Sequence, residues 1–265
     1  MRNTKAILYK LQAIVRGVKQ RKIMQSKRQA LLLSSSNCHG YSLLEFAKKE
    51  ICSFLNSNNV NELIFVPYAQ NNFDGYTSKI KDVINPWGYS VKGLHTYEDP
   101  AKAINSAKAI FVGGGNTFLL LNRLYEKKLV NIIKEKVDDG SLVYIGSSAG
   151  TNVATHSIHT TNDMPIIYPP SFNAIGIVPF NINPHYIDKV ESEKHKGETR
   201  DQRITEYMEM PHANSVLGLR EGSLLYVNKN EFTIKGVAGA VIFRNKEKKE
   251  YEVGADVSFL LEEKL

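Results

Sequence analysis

The chain of 265 residues is 42% hydrophobic and 23% charged, carries a formal net charge of +7, and is long enough for one large domain. No apolar run reaches the ~18 residues that a membrane-spanning helix needs, and two cysteines, Cys38 and Cys52, are too few for a disulfide scaffold. The seven histidines are scattered without metal-ligand spacing. These observations predict a cytoplasmic globular protein that needs no metal or cofactor.

The positive charge is concentrated at the N-terminus. Residues 1–29 carry nine lysines and arginines and no acid, whereas the rest of the chain holds 25 basic and 27 acidic residues, a net charge of −2. Because the body is near neutral, we predict no nucleic-acid-binding face. We predict a basic extension over residues 1–28 and a single domain over 29–265. The extension is amphipathic, which can indicate a mitochondrial targeting segment. The alternatives are a solvated extension and an upstream start that is not used.

From Ala30 onwards, short apolar strands alternate with amphipathic helices. The predicted strands of this half are 30–35, 63–67, 89–94, 109–112 and 142–145. The predicted helices are about 42–55, about 75–85, one opened by Asp99-Pro100, 116–126 and 128–138. Continuously apolar strands joined by helical crossovers are typical of a parallel sheet covered by helices on both faces.

The second half begins with a long irregular stretch over 160–170 and then becomes richer in strands. We predict a strand over 175–182 and a helix that begins at the capping box of Thr199 and Gln202 and ends near Met208. The remaining predicted strands are about 215–219, 224–227, 231–236, 239–244 and 250–254.

A nucleophile elbow is predicted where the apolar strand 142–145 meets Gly146-Ser147-Ser148-Ala149-Gly150. Small residues are needed on both sides of such a turn, because a Cβ at either glycine would collide with a neighbouring strand or helix. The register makes Ser148 the nucleophile. It also directs the N–H of Ala149 toward a developing oxyanion. A plain strand–turn–helix is the structural alternative.

A second glycine-rich loop, Gly113-Gly114-Gly115, follows the strand 109–112 at the same predicted sheet edge. Its spacing does not fit a dinucleotide-binding loop, and it lacks the Gly-Lys-Ser/Thr of a Walker loop. We favour a bare-backbone loop that offers an N–H to an oxyanion, with Asn116 capping the next helix. A merely tight turn is the alternative.

Three further candidates follow the elbow in chain order. His185 comes just after a predicted strand and a proline, and Glu221 lies at a tight turn between two apolar strands. Arg200 lies in the first turn of a helix, where the helix dipole disfavours a cation, so its position indicates an anionic partner. The structural alternatives are a packed histidine, a solvated turn and a solvated helix face.

Six segments carry a family resemblance when they are taken together. They are Val112-Gly113-Gly114-Gly115-Asn116-Thr117-Phe118, Tyr144-Ile145-Gly146 with Ser148-Ala149-Gly150, Thr160-Thr161-Asn162-Asp163-Met164-Pro165-Ile166, Ile182-Asn183-Pro184-His185, His195-Lys196-Gly197-Glu198-Thr199-Arg200, and Gly218-Leu219 with Glu221-Gly222. Over about residues 29–245 the chain resembles peptidase E, the aspartyl dipeptidase family of serine peptidases. The resemblance implies an α/β fold of the class I glutamine amidotransferase-like group, with a β-rich C-terminal part.

The resemblance also implies roles for individual residues. It implies a Ser148–His185–Glu221 triad, whose chain order differs from the serine, acid, histidine order of α/β-hydrolases. It places the oxyanion donors at the N–H groups of Gly115 and Ala149. The substrates it implies are dipeptides with N-terminal aspartate.

On the substrate side, the resemblance implies that Arg200 holds the aspartyl carboxylate and that Asp163 matters for activity. We hypothesise that Asp163 binds the substrate's α-ammonium group, and we count Asn116 with the substrate-binding residues. Two positions depart from the family pattern. Ser147 stands where bacterial members often carry tryptophan, and Arg220 stands where proline is common.

Two alternatives to an Asp-X dipeptidase stay open at this point. One is a cyanophycinase-like or isoaspartyl peptidase of the same fold, and the other is a non-catalytic binding protein on this scaffold. The presence of Ser148, His185 and Glu221 argues against a decayed site. The expected partners are dipeptides, with no nucleic acid and no membrane, and a homodimer is an open alternative.

Overall fold

Parallel strands joined by helices form the centre of the molecule. The structure is a computed structural model and describes residues 26–188 and 197–262. Most of the predicted basic extension, and His195-Lys196, lie outside the described residues. The strands are β1 (Gln29–Leu33), β2 (Glu62–Val66), β3 (Ser90–Gly93), β4 (Ala109–Val112), β5 (Val143–Ser147), β6 (Asn181–Tyr186), β7 (Val216–Arg220), β8 (Ser223–Asn228), β9 (Glu231–Gly236), β10 (Ala240–Arg244) and β11 (Glu247–Tyr251). The α-helices are α1 (Lys48–Ser57), α2 (Phe73–Ile84), α3 (Pro100–Ser106), α4 (Thr117–Glu126), α5 (Leu129–Asp138), α6 (Ala149–Val153) and α7 (Arg200–Met208).

Side-chain caps explain where several of these helices begin. Asn72, Asp99 and Asn116 each accept a hydrogen bond from the backbone N–H three residues further on, at 2.9–3.0 Å. Thr199 and Gln202 form the predicted capping box at the start of α7. Such caps satisfy N–H groups that a helix leaves without an internal partner. Within the described ranges, no helix is long and apolar enough to cross a membrane.

The larger sheet has seven strands in the order β3-β2-β4-β5-β1-β8-β9. Its first five strands are parallel, whereas β8 and β9 are antiparallel to their neighbours. Successive residues of β1 enter opposite core clusters, Ala30 and Leu32 on one face and Leu31 and Leu33 on the other. This confirms the predicted mostly parallel sheet with both faces covered.

A second sheet of four strands has the order β11-β10-β7-β6. The β-rich C-terminal part is therefore divided, because β8 and β9 extend the larger sheet while β7, β10 and β11 join β6. The turn between β7 and β8 carries the chain from one sheet to the other. Glu221 lies in this turn, so it stands at the junction of the two sheets.

The predicted strand over 175–182 is wrong, since β6 begins at Asn181 and includes His185. The preceding apolar residues are buried but unpaired in any sheet. Ile175 and Ile177 instead donate backbone hydrogen bonds of 2.8 Å to the carbonyls of Val153 and Ala154. Their apolar pattern thus reflects burial of an irregular segment against the end of α6.

Two smaller differences have equally local causes. Residues 42–47 are not α-helical, because a short 3-10 helix over Glu45–Ala47 precedes α1. The last strand is β11 at Glu247–Tyr251 rather than 250–254, and its largely exposed, polar sequence gives no apolar signal. Arg28, the last residue of the predicted extension, is buried and donates to the Ile177 carbonyl at 2.7 Å.

Candidate active site

Ser148 lies on a strained turn between β5 and α6. Its backbone has φ 55° and ψ −111°, a conformation that non-glycine residues rarely adopt. A Cβ on Gly146 would lie 2.6 Å from the Gly150 carbonyl oxygen, and a Cβ on Gly150 would lie 2.1 Å from that of Val112. Both glycines of the elbow are therefore required by close backbone contacts, as the sequence predicts.

Ser148, His185 and Glu221 form a continuous series of hydrogen bonds. The Ser148 Oγ lies 2.8 Å from His185 Nε2, and His185 Nδ1 lies 2.8 Å from Glu221 Oε1. The imidazole side chain is 34% exposed and the Glu221 side chain 51% exposed, so the series opens to solvent at its acidic end. With Nδ1 donating to the carboxylate, Nε2 is free to accept the serine proton.

The position of His185 depends on a β-bulge. The register of β6 against β7 shifts between Asn183 and Tyr186, and His185 has φ 52°. A bulge of this kind re-aims a side chain that regular alternation would direct elsewhere. The bulge brings the imidazole to the end of β5, where Ser148 lies.

Ser34, at the end of β1, supports this irregular backbone. Its hydroxyl is fully buried, accepts the His185 N–H at 2.8 Å and donates to the Leu219 carbonyl at 2.8 Å. One side chain thus joins the strand that carries His185 to the strand that leads to Glu221. Sequence reasoning missed this residue, whose only signal is a small polar residue at the end of a buried strand.

The glycine loop lies directly beside the elbow, since a Cβ built on Gly114 would lie 3.0 Å from the Ser148 Cβ. The Gly114 carbonyl accepts a 3.2 Å hydrogen bond from Gln70 Nε2. This contact orients the peptide unit whose N–H belongs to Gly115. In the described part of the chain, the N–H groups of Gly115 and Ala149 have no hydrogen-bond acceptor.

Arg200 and Asp163 line one cavity of about 180 Å³. Asn162 and Asn183 also line it, and Asn183 is two residues before His185 on β6. The pKa of the Arg200 guanidinium is lowered, mainly by burial and to a smaller extent by the positive charge of Arg203. Arg200 Nη1 donates to Asn162 Oδ1.

Asp163 and Asn116 both contact the start of α4. Asp163 Oδ2 accepts the Thr117 N–H at 2.7 Å, where the helix dipole favours a negative charge. Asn116 Oδ1 accepts the Leu119 N–H at 3.0 Å, and its Nδ2 donates to the Met164 carbonyl at 2.8 Å. Both polar atoms of the Asn116 amide are therefore engaged within the protein.

The two departures from the family pattern have clear local partners. Ser147 is fully buried, and its hydroxyl lies 2.7 Å from that of Ser36. Arg220 contacts both oxygens of Asp188, at 2.6 and 2.9 Å, and Glu250 at 2.8 Å. The residue before Glu221 is thus held by two carboxylates rather than by the ring of a proline.

Comparison with known proteins gives consistent results. The sequence profile of peptidase family S51 matches residues 30–235. A Drosophila melanogaster protein named "Probable alpha-aspartyl dipeptidase" is 50% identical over 240 residues, which cover 90% of this chain and 100% of that protein. Peptidase E of Streptomyces coelicolor is 45% identical over 233 residues, which cover 88% of this chain and 94% of that protein.

The fold has a counterpart among solved structures. The crystal structure of a peptidase from an acI-B1 Actinobacterium matches with a TM-score of 0.64 and covers 89% of this chain and 98% of that chain. The sequence identity is 16%, so this likeness concerns the fold alone. The family follows from the profile match and the two relatives: the chain belongs to peptidase family S51.

Proposed function

We propose that the chain is a serine dipeptidase that hydrolyses dipeptides with N-terminal aspartate. The observation that carries the proposal is the hydrogen-bonded series of Ser148, His185 and Glu221, next to a cavity that contains Arg200. The names alpha-aspartyl dipeptidase and peptidase E, borne by relatives at 50% and 45% identity, support the substrate class.

The proposed reaction begins with attack of the Ser148 hydroxyl on the scissile carbonyl carbon, while His185 Nε2 takes the hydroxyl proton. The carbonyl electrons move to oxygen, and the N–H groups of Gly115 and Ala149 stabilise this oxyanion. Collapse breaks the C–N bond, and His185 gives its proton to the leaving amine. Water, deprotonated by His185, then attacks the carbonyl carbon of the aspartyl ester. The C–O bond to Ser148 breaks, aspartate leaves, and His185 returns the proton to the Ser148 oxygen. Glu221 fixes the imidazole tautomer and stabilises the imidazolium.

Substrate selection follows from charge in the cavity. The Arg200 guanidinium pairs with the side-chain carboxylate of the substrate's aspartate, and the amide of asparagine offers no matching negative charge. Asp163 is assigned to the α-ammonium group of the substrate. Its Oδ2 accepts the Thr117 N–H, and its Oδ1 is the atom assigned to the ammonium.

The proposal is tested with two isomeric dipeptides, Asp-Leu and β-Asp-Leu, offered to the wild-type protein at equal concentration. The proposal predicts release of leucine from Asp-Leu alone. Cleavage of β-Asp-Leu alone would move the assignment to an isoaspartyl peptidase. Cleavage of neither would contradict the proposed function.

Gly115→Ala is expected to lower kcat for Asp-Leu by roughly 10²- to 10³-fold, the range for a lost oxyanion donor. Gly115 has φ +138°, and an added Cβ would lie 2.4 Å from the Ala69 carbonyl oxygen, so the loop must shift. Gly88→Ala is the matched control, since Gly88 has φ +97° and nothing within 4 Å of an added Cβ. A similar loss of kcat in both variants would contradict the assignment of Gly115.

Asp163→Asn removes the charge of Asp163 but keeps an oxygen that accepts the Thr117 N–H, so α4 stays capped. We expect KM for Asp-Leu to rise by roughly 10- to 100-fold, because the α-ammonium group loses its ion pair. Steady-state kinetics measure the effect, and the melting temperature checks the fold. Unchanged KM and kcat would refute the assignment of Asp163 to the ammonium group.

The predicted cytoplasmic localisation, and mitochondrial targeting by residues 1–28 as its alternative, stay predictions. So does the absence of a nucleic-acid partner, and a homodimer stays an open alternative. The proposed chemistry itself uses only the chain's own side chains and backbone and a water molecule.

A further inference from the structure

The immediate partner of the Arg200 guanidinium is an amide rather than a carboxylate. Arg200 Nη1 donates to Asn162 Oδ1, and Arg200 Nε is buried without a hydrogen-bond partner among residues 26–188 and 197–262. Over the same ranges, Arg200 forms no ion pair with an aspartate or glutamate. A half-buried arginine with a neutral partner keeps its positive charge available to a ligand.

The orientation of the Asn162 amide is fixed by its other contacts. Asn183 Nδ2 donates to Asn162 Oδ1 at 2.7 Å, and Asn162 Nδ2 donates to the Pro184 carbonyl at 2.7 Å. Asn183 is itself 2% exposed and donates to the Thr160 carbonyl at 2.8 Å. The oxygen of Asn162 therefore faces Arg200, and its position is tied to the strand that carries His185.

Carboxylates near Arg200 in sequence or in the cavity are engaged elsewhere. Asp201 contacts Lys248 at 3.0 Å and accepts a hydrogen bond from the Tyr186 hydroxyl. Glu198 pairs with Arg203 at 3.5 Å. Asp163 accepts the N–H at the start of α4. None of these three acids neutralises Arg200.

We propose that Asn162 is a specificity-determining residue, which positions Arg200 through a neutral acceptor and so reserves its charge for the side-chain carboxylate of the substrate. A carboxylate at position 162 would form a charge-assisted pair with Arg200 and compete with the substrate. This inference rests on the proposed function. The inference adds to that function that position 162 must be uncharged for the protein to select aspartate over asparagine.

Asn162→Asp tests the inference with an almost isosteric change. The ratio of kcat/KM for Asp-Leu to that for Asn-Leu is expected to fall on the order of 100-fold, since the internal carboxylate neutralises Arg200. Most of the loss appears in KM for Asp-Leu, with kcat within about threefold of wild type. Calorimetry with Asp-Leu in the Ser148→Ala background measures the same loss as weaker binding, independently of turnover.

Two further variants separate charge from packing. Asn71→Asp makes the same asparagine-to-aspartate change next to a different arginine, since Asn71 Oδ1 lies 2.6 Å from Arg123 Nη2 at an exposed position. This variant should leave the selectivity for Asp-Leu over Asn-Leu unchanged. Asn162→Ala removes the contact without adding charge. It is expected to raise KM about tenfold and to keep the preference for aspartate. It also keeps the inference testable if Asn162→Asp fails to fold.

The outcomes separate the proposed function from the role of Asn162. Wild-type protein that cleaves neither dipeptide refutes the proposed function. Wild-type protein that selects Asp-Leu, together with an Asn162→Asp variant of unchanged selectivity, refutes the role of Asn162 alone. Equal losses of selectivity in Asn162→Asp and Asn162→Ala would also refute it, because they would mean a packing effect.

Discussion

Replacement of Ser148 by alanine is expected to lower kcat for Asp-Leu by roughly 10⁴- to 10⁶-fold, the range seen when the nucleophile of a triad is removed. The Ser148 Oγ lies 2.8 Å from the base His185 Nε2, and its removal leaves the base without the hydroxyl that it activates. Steady-state hydrolysis measures the loss. Binding of Asp-Leu to the variant by calorimetry shows whether the cavity is intact.

Ser147→Ala is the matched control for this variant. Ser147 is the neighbouring serine, fully buried, and its hydroxyl contacts Ser36 rather than His185. We expect kcat within about tenfold of wild type and a loss of roughly 1 kcal/mol of stability from the broken hydrogen bond. A Ser148→Ala variant that keeps more than about 1% of wild-type kcat would contradict the serine mechanism.

Arg200→Gln is expected to lower kcat/KM for Asp-Leu roughly 30- to 5,000-fold. This factor corresponds to a loss of about 2–5 kcal/mol of transition-state stabilisation. The substrate carboxylate would enter a cavity that no longer supplies its positive partner. The change for Asn-Leu should stay within about tenfold, because the asparagine side chain carries no charge to lose. Hydrolysis of both dipeptides by the same preparation measures the difference.

Arg203→Gln is the control for charge in the same cavity. Arg203 also lines it, but its side chain is 58% exposed and pairs with Glu198. An exposed pair of this kind contributes little, so the preference for Asp-Leu should persist. If Arg203→Gln abolished the preference for Asp-Leu while Arg200→Gln retained it, Arg203 would be the residue that pairs with the substrate carboxylate.

Much of the fold follows from local features of the sequence. The apolar strands β1, β2 and β4, the proline at the start of α3 and the cap at Asn116 were all predictable, because each depends on a few adjacent residues. The elbow was predictable for the same reason. Small residues at fixed spacing meet a steric need that operates within five residues.

The parts of the site that the sequence could not predict depend on contacts between distant segments. Ser34 is 151 residues from His185, and Asp163 is 46 residues from the N–H it accepts. The β-bulge at His185 likewise exists only relative to β7, so an apolar pattern could not locate it. The position of Arg200 in the first turn of a helix predicted an anionic partner, whereas the contact with its neutral partner Asn162 was not predictable.

The most direct test of the central claim is a comparison of Asp-Leu with its near-isostere Asn-Leu, each offered to wild type and to Ser148→Ala. We expect rapid release of leucine from Asp-Leu by wild type, release from Asn-Leu slower by at least about 100-fold, and neither reaction with Ser148→Ala. Equal rates for the two dipeptides would contradict selection by Arg200. Hydrolysis of Asp-Leu that survives in Ser148→Ala would contradict catalysis by the serine.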